Sequence, residues 1–152
     1  MNHQAGYQIR PFRPTDQSAA QQLILDGLQE HWGTLDPTLN PDLNDITASY
    51  LQAGHAFFVV EEDGALIGTG GLLNEAPGVG RIVRVSVSPA QRRRGLGRAI
   101  SEFLITNARQ RGCHTLLVET TATWTAAIRL YETCGFTPYA WRDGDVHMKM
   151  HL

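Results

Sequence analysis

Several features that define large classes of protein are scarce or absent in this sequence. It has only two cysteines, Cys113 and Cys134, too few for a disulfide scaffold, so both are expected to be reduced thiols. No apolar run approaches the roughly 20 residues that span a bilayer, and residues 1–10 lack the basic and apolar regions of a signal peptide. No group of His, Cys or acidic residues has metal-site spacing. These absences favour a soluble, cytoplasmic protein with no metal and no membrane segment.

Excess charge of one sign is also missing. The formal net charge is -2, which excludes binding to a polyanion through overall charge. The chain also lacks a recognisable nucleic-acid-binding motif and an interleaved aromatic platform. We therefore expect no nucleic-acid partner, and the arginines must act locally.

The residues that are present have the composition of an ordinary globular domain. Hydrophobic residues make up 42% and charged residues 18% of 152 residues, so residues 1–152 are predicted to form a single domain. Periodicity and turn residues predict the order β-α-α-β-β-β-α-β-α-β-β, an α/β fold with helices covering a mixed sheet. The predicted strands cover residues 7–12, 55–61, 65–73, 78–88, 114–121, 136–141 and 146–152, and the predicted helices cover residues 17–30, 45–54, 97–112 and 125–135.

The stretch Arg92-Arg93-Arg94-Gly95-Leu96-Gly97 is an unusual way to begin a helix, because like charges repel and glycine is a poor helix former. The N–H groups at a helix start lack internal partners and carry partial positive charge, and glycines let an anion approach them closely. The stretch therefore fits a phosphate or pyrophosphate at the carboxyl end of the preceding strand. An exposed, solvated arginine turn is the alternative. The glycine spacing matches neither a P-loop nor a dinucleotide fingerprint.

Two motifs in order resemble those of the GNAT superfamily of acetyl-CoA-dependent N-acetyltransferases. Residues 92–97 are similar to its R/Q-x-x-G-x-G/A signature. The run Ala127-Ala-Ile-Arg-Leu-Tyr131-Glu-Thr-Cys-Gly135-Phe136 is similar to its A-x-x-x-Y-x-x-x-G-F motif. Residues 117–136 look especially like a subgroup that includes camello-like enzymes. The resemblance covers nearly the full chain and implies the GNAT fold, with acetyl-CoA as the acyl donor.

The resemblance also implies roles for individual residues. Its pyrophosphate contacts fall on Arg92, Arg93, Arg94, Gly95, Leu96, Gly97 and Arg98, and its pantetheine contacts fall on the backbone of Val85, Ser86 and Val87. Tyr131 matches the tyrosine that protonates the departing thiolate in many relatives, although a packed core tyrosine is the alternative. Trp124 stands where many relatives carry an asparagine. It either packs against the cofactor or only covers the helix start.

A general base is harder to assign. A lysine-type amine with a pKa near 10.4 is neutral in only about one molecule per thousand at pH 7, and only the neutral form attacks a thioester. Relatives often place a glutamate on the strand before the pyrophosphate loop, where this chain has Arg81 and Arg84. Glu119, at the carboxyl end of the next parallel strand, is the predicted base. A purely structural ion pair of Glu119 is the alternative, with a relayed water as the base.

The resemblance places the acceptor site at the first two helices and their loop. Trp32 stands there among acidic residues, which suits a cationic amine, while an ordinary surface loop is the alternative. Arg84 alternates with valines along its strand, so it either binds an acceptor carboxylate in the cleft or pairs with Glu119. His55 and His147 are expected to be strand residues without chemistry.

Three functions remain to be separated. The favoured one is acetyl transfer from acetyl-CoA to a primary amine, by direct attack in a ternary complex, since neither cysteine lies in a nucleophile motif. The first alternative is a non-catalytic acyl-CoA-binding regulator, and the less favoured one is a nucleic-acid-binding module. The resemblance also allows a homodimer.

Overall fold

One eight-stranded mixed sheet runs through the computed structural model, which describes residues 2–4, 6–36 and 38–152. Within these residues the strand order across the sheet is β1-β2-β3-β4-β5-β6-β8-β7. The strands are β1 Asn2–Gln4, β2 Tyr7–Pro11, β3 Ala56–Glu62, β4 Ala65–Ala76, β5 Val79–Val87, β6 Thr115–Thr121, β7 Thr137–Arg142 and β8 Asp145–His151. The helices are α1 Gln17–Trp32, α2 Leu96–Gln110 and α3 Thr125–Cys134. No helix within the described residues is long and apolar enough to cross a membrane.

Two hydrophobic clusters lie on opposite faces of the sheet. Alternate residues of β3 point to opposite sides, so Phe58 joins the cluster beneath α2 and α3 while Phe57 joins the cluster beneath α1. The apolar face of α2 supplies buried residues at helical spacing, among them Ile100 and Leu104. The sheet is therefore covered on both sides, as the predicted mixed α/β fold requires.

The helix predicted over residues 45–54 is replaced by much shorter structure. A 3₁₀ turn forms at Pro41–Asn44 and a single π-helical turn at Thr47–Leu51. The π turn is closed by hydrogen bonds between residues five apart, such as the one from the Gln52 N–H to the Thr47 carbonyl at 2.9 Å. Tyr50 is buried, so packing of a few apolar side chains holds this segment rather than a long hydrogen-bonded helix. Strand β1 was also not expected from the sequence.

The central feature of the sheet is the divergence of two parallel strands. Residues 79–82 of β5 pair in parallel with residues 115–118 of β6. Beyond Ile82, β5 pairs only with β4 among the described strands, and β6 continues against β8. A gap therefore opens between β5 and β6, at the carboxyl ends of both strands.

A bulge in β5 lies beside this gap. Thr69 of β4 pairs with Ser86 and Gly71 pairs with Val83, which leaves two residues of β5 opposite one of β4. One of the two is Arg84, which has a φ of 54° and whose carbonyl accepts a hydrogen bond from the Thr69 hydroxyl at 2.8 Å. The strict alternation expected along this strand is therefore interrupted. Val83 packs against the α1 cluster and Val85 against the α2 cluster.

Candidate active site

The turn between β5 and α2 presents backbone donors to one point. Arg93 and Gly95 both adopt left-handed conformations, with φ of 67° and 76°, and Gly95 caps the helix that begins at Leu96. Among the described residues, no protein acceptor receives a hydrogen bond from the N–H groups of Arg93, Gly95, Leu96 and Gly97. These unused N–H groups lie at the positive end of a 15-residue helix, the kind of position at which anions bind in proteins.

Gly97 has a different role from Gly95. A Cβ at position 97 would stand 3.3 Å from a methyl carbon of Leu130, so its absence lets α2 approach α3 closely. Gly95 has open space around it and is required by its positive φ. Gly97 therefore allows the close contact between α2 and α3, and Gly95 allows the turn before α2.

The arginine side chains around this turn are held by carboxylates. Arg92 pairs with Glu30 of α1, with 3.0 Å between Nη2 and Oε2, and Arg94 pairs with Glu62 of β3, with 2.8 Å between Nη2 and Oε2. Hydrogen bonds from these arginines hold the pKa of both glutamates below the usual range. Arg98 pairs with Glu102 one helical turn later. These pairs lie at the surface, where ion pairs are weak enough to be exchanged for a phosphate.

A cleft of about 400 Å³ occupies the gap between β5 and β6. Seven of the predicted site residues line it, namely Arg84, Val85, Ser86, Val87, Arg92, Glu119 and Tyr131. The remaining predicted loop residues, 93–98, stand outside this lining and surround the helix start. The cleft therefore connects the strand edge of β5 with the first residue of the pyrophosphate motif.

Tyr131 reaches into this cleft from α3. Its side chain is buried, and burial raises the pKa of its phenol. The Phe136 ring contacts it edge-on at 5.7 Å between centroids. No described protein group hydrogen-bonds the hydroxyl, and no fully buried side-chain oxygen in the described residues lacks a partner, so the hydroxyl must face the open cleft. Tyr131 therefore presents a protonated hydroxyl, without a described protein partner, at the cleft.

Glu119 lies just beyond the point where β5 and β6 separate. Its Oε1 is 3.3 Å from Nη1 of Arg81 on β5, and its Oε2 is 3.2 Å from Nδ1 of His147 on β8. The side chain is 43% exposed and lines both the cleft and a second cavity of about 420 Å³. The ion pair, which the sequence offered as the alternative to a catalytic base, is therefore present, and Glu119 also lines the cleft.

Comparison with known proteins identifies the family. Residues 19–136 match the family model described as "Acetyltransferase (GNAT) family". The chain belongs to the GNAT family. The predicted family resemblance and mixed α/β fold are confirmed, and acetyl transfer from acetyl-CoA is the chemistry of the family to which the chain belongs.

Individual relatives agree with this assignment. The chain is 38% identical over 103 residues to mouse probable N-acetyltransferase family 8 member 5, covering 64% of this chain and 45% of that protein. It is 34% identical over 110 residues to probable N-acetyltransferase camello of Xenopus tropicalis, covering 70% of this chain and 50% of that protein. The chain thus spans about half the length of these relatives. The structure of YncA, a putative acetyltransferase from Salmonella typhimurium solved with acetyl-CoA, superimposes with a TM-score of 0.79 at 25% identity, covering 97% of this chain and 94% of that one.

Arg84 does not present the free guanidinium that the sequence suggested. In this GNAT chain its Nη2 is 2.7 Å from Oδ1 of Asp42 and 3.0 Å from Oδ1 of Asn40, and its Nε is 3.1 Å from Oδ2 of Asp42. The Tyr50 hydroxyl donates to the same carboxylate at 2.7 Å. Burial alone raises the pKa of Asp42, but the hydrogen bonds from Arg84 and Tyr50 outweigh it and leave this pKa below the usual range. The ion-pair partner of Arg84 is therefore Asp42 and not Glu119, while Arg84 also lines the cleft and a neighbouring cavity.

Trp124 packs at the mouth of the GNAT cleft. Its ring stacks on His31 with centroids 4.1 Å apart, and it contacts Trp32 at 5.7 Å. Both partners belong to the last turn of α1, so Trp124 joins the start of α3 to the end of α1 and also lines the cleft. Trp32 remains 58% exposed and stands at the rim, outside the cleft lining. Sequence reasoning did not anticipate the contact of His31 with Trp124.

Proposed function

We propose that this chain is an acetyl-CoA-dependent N-acetyltransferase that transfers an acetyl group to a primary amine. The observation that carries the proposal is the turn of unused backbone N–H groups at the start of α2, joined through the cleft to the hydroxyl of Tyr131. The relatives' names support the same reaction class.

The donor fits along β5. β5 pairs with β4 on one side, but beyond Ile82 the side of β5 that faces β6 has no strand partner among the described residues. The amide groups of a pantetheine arm would pair with the free backbone groups on that side. The residues implied are Val85, Ser86 and Val87, which line the cleft. The pyrophosphate then reaches the turn at residues 92–98, where guanidinium groups supplement the helix start.

Direct attack in a ternary complex is the proposed route. The amine nitrogen bonds to the acetyl carbon, the carbon–sulfur bond breaks, and the Tyr131 hydroxyl gives its proton to the departing thiolate. Glu119 accepts the proton that the amine loses, either directly or through one water. Neither cysteine is among the residues that line the cleft, which argues against an acyl-cysteine intermediate.

The second cavity is the proposed path for the acceptor. It shares Ile82, Arg84 and Glu119 with the cleft, so the two spaces meet near the proposed base. Exposed carboxylate oxygens of Glu119 attract a protonated amine, and deprotonation follows where the two spaces join. Trp32 at the rim offers an aromatic surface for the rest of a cationic acceptor.

A thiol-release assay tests the proposal. We expect acetyl-CoA to release coenzyme A only when an amine is added, in a panel that includes a free amino acid, a peptide α-amine, a lysine peptide and a polyamine. Initial rates at varied concentrations of both substrates should give intersecting reciprocal plots, because both must be bound before reaction. Parallel plots would instead indicate a covalent acyl-enzyme.

Calorimetry separates the remaining alternatives. Binding of acetyl-CoA without thiol release across the panel would favour the acyl-CoA-binding regulator. No binding of acetyl-CoA, together with salt-dependent binding of duplex DNA, would favour the nucleic-acid module.

A further inference from the structure

His147, which the sequence suggested has no chemistry, contacts the proposed base. It lies on β8 directly opposite Glu119 in the antiparallel register of β6 and β8. Its Nδ1 is 3.2 Å from Oε2 of Glu119, and its side chain is 18% exposed. The two side chains are therefore in contact at ion-pair distance, although the N–H direction is not aligned for a hydrogen bond. Since a carboxylate only accepts hydrogen bonds, a proton on Nδ1 and a small rotation of the ring would turn this contact into one.

The carboxylate of Glu119 is thus held from two sides. Arg81 of β5 approaches the other oxygen at 3.3 Å, and it also pairs with Glu75 through two contacts of 3.1 Å. The Tyr139 ring of β7 lies edge-on to His147 at 6.2 Å, and Lys149 stands over that ring at 5.2 Å. No carboxylate other than Glu119 is within 4 Å of the His147 ring among the described residues. Glu119 is therefore the acidic neighbour of the His147 ring among the described residues.

Such restraint matters because Glu119 is a long, flexible side chain. At 43% exposure it is free to turn into solvent unless its oxygens are held. Arg81 and His147 come from strands on either side of β6, so their contacts keep the carboxylate above the end of β6, where the cleft and the second cavity meet. Proton transfer needs the base within hydrogen-bond reach of the amine, so a misplaced carboxylate slows the reaction.

We propose that His147 is a positioning residue, which donates a hydrogen bond from Nδ1 to Glu119 and so orients this carboxylate toward the acceptor amine. The inference rests on the proposed function and adds a residue to its machinery. His147 itself does not line the cleft or the second cavity, so it acts through Glu119 and not on the substrate.

Three substitutions at one position test the hydrogen bond. We expect H147A to lower kcat about tenfold and to leave the KM for acetyl-CoA unchanged, because the phosphate turn is not involved. H147N places an amide donor near the position of Nδ1 and should restore most of kcat. H147Q places its amide near the position of Nε2 and should not. H151A, on the same strand at an exposed position, is the matched control and should behave as wild type.

A double-mutant cycle shows whether His147 acts through Glu119. In an E119Q background, H147A should cause no further loss of kcat, since the group that it orients is gone. An equal loss from H147A in both backgrounds would overturn the inference, and so would an unchanged kcat in E119Q alone. Absence of thiol release by the wild-type protein with every amine would instead overturn the proposed function, and the inference with it.

Discussion

At the scale of single residues, the site depends on a phenol that keeps its proton. Burial raises the pKa of Tyr131, so the hydroxyl stays protonated throughout the usual range of assay pH. A raised pKa keeps the proton on the hydroxyl until the thiolate forms, but it also makes the phenol a weaker acid, so the transfer needs a thiolate whose own pKa is raised by desolvation in the cleft. The hydroxyl has no described protein partner, so its removal leaves no broken contact in the core.

We expect Tyr131→Phe to lower kcat about a hundredfold, the usual scale of general acid catalysis, and to leave acetyl-CoA affinity unchanged. Initial-rate kinetics and calorimetry with acetyl-CoA measure the two effects. Tyr139→Phe is the matched control, because Tyr139 is 40% exposed on β7 and does not line the cleft. An unchanged kcat in Tyr131→Phe would show that Tyr131 is only a packed core residue.

Residue identities predicted part of this site and missed the rest for a physical reason. The turn at residues 92–98 is local, because Gly95 and the helix start are neighbours in sequence, and Tyr131 is marked by a spaced motif. The partners of Arg84 and Glu119 are not local. Asp42 reaches Arg84 because a bulge in β5 and the 3₁₀ turn at Pro41–Asn44 bring distant segments together, and no single-sequence pattern signals either.

At the scale of elements, the start of α2 combines a special backbone conformation with the binding role that we propose for it. Gly95 needs a φ of 76°, and Gly112, just after the other end of the helix, needs 82°. Neither position has an atom within 4 Å of where a Cβ would stand, so alanine at either site adds backbone strain and no clash. The two glycines therefore form a matched pair at opposite ends of one helix.

We expect Gly95→Ala and Gly112→Ala each to destabilise the fold by about 1 kcal/mol, because a side chain disfavours the left-handed conformation. Only Gly95→Ala should also weaken binding of coenzyme A, since the strain is relieved by turning the N–H groups away from the phosphate. Urea unfolding and calorimetry measure the two quantities. Equal affinity for coenzyme A in both variants would contradict a phosphate site at this turn.

The predicted elements fared best where the pattern was long. Periodicity placed the amphipathic α2 and the β3–β4 hairpin correctly, because burial of one face dictates the spacing of apolar residues. The helix predicted over residues 45–54 is wrong in length because a short apolar pattern fits a single π-helical turn equally well. Here that turn is held by the buried side chains of Ile46 and Tyr50. The divergence of β5 from β6 creates the cleft. It depends on how each strand pairs with its other neighbour, β4 or β8, so the sequence of neither strand predicts it alone.

At the scale of the whole molecule, α1 is what closes one side of the cleft, and ion pairs fasten it and the following segment to the sheet. Arg10 of β2 meets Asp16 at the start of the helix, Arg92 of the phosphate turn meets Glu30 near its end, and Arg84 of β5 meets Asp42 in the segment beyond. Of these three pairs, the one between Arg10 and Asp16 is the most buried, with side-chain exposures of 4% and 9%. The position of α1 therefore depends most on that pair.

The pair should make the stability of the protein sensitive to acid. Two hydrogen bonds of 2.8 and 2.9 Å join Arg10 to Asp16, whose carboxylate also accepts the Arg13 N–H. Burial alone raises the pKa of Asp16, but these hydrogen bonds and the charge of Arg10 outweigh it and hold the pKa below its usual value. A carboxyl whose pKa is lowered by folding stabilises the protein above its ordinary pKa, near 3.9. That contribution is lost as pH falls through the lowered pKa.

We expect Asp16→Asn to reduce the free energy of unfolding by about 3 kcal/mol at pH 7, because it leaves the buried guanidinium of Arg10 with Glu61 as its remaining acidic partner. The loss should begin to shrink at about pH 4, where Asp16 of the unfolded chain takes up a proton, and should disappear as pH falls through the lowered pKa of the folded protein. Urea unfolding followed by circular dichroism from about pH 2.5 to about pH 7, a range that brackets the ordinary pKa of a carboxyl group, measures this dependence. Asp26→Asn, at an exposed position of α1, is the control and should change stability by less than about 0.5 kcal/mol. If the loss in Asp16→Asn were the same at every pH, the carboxylate charge would not be what holds α1 in place.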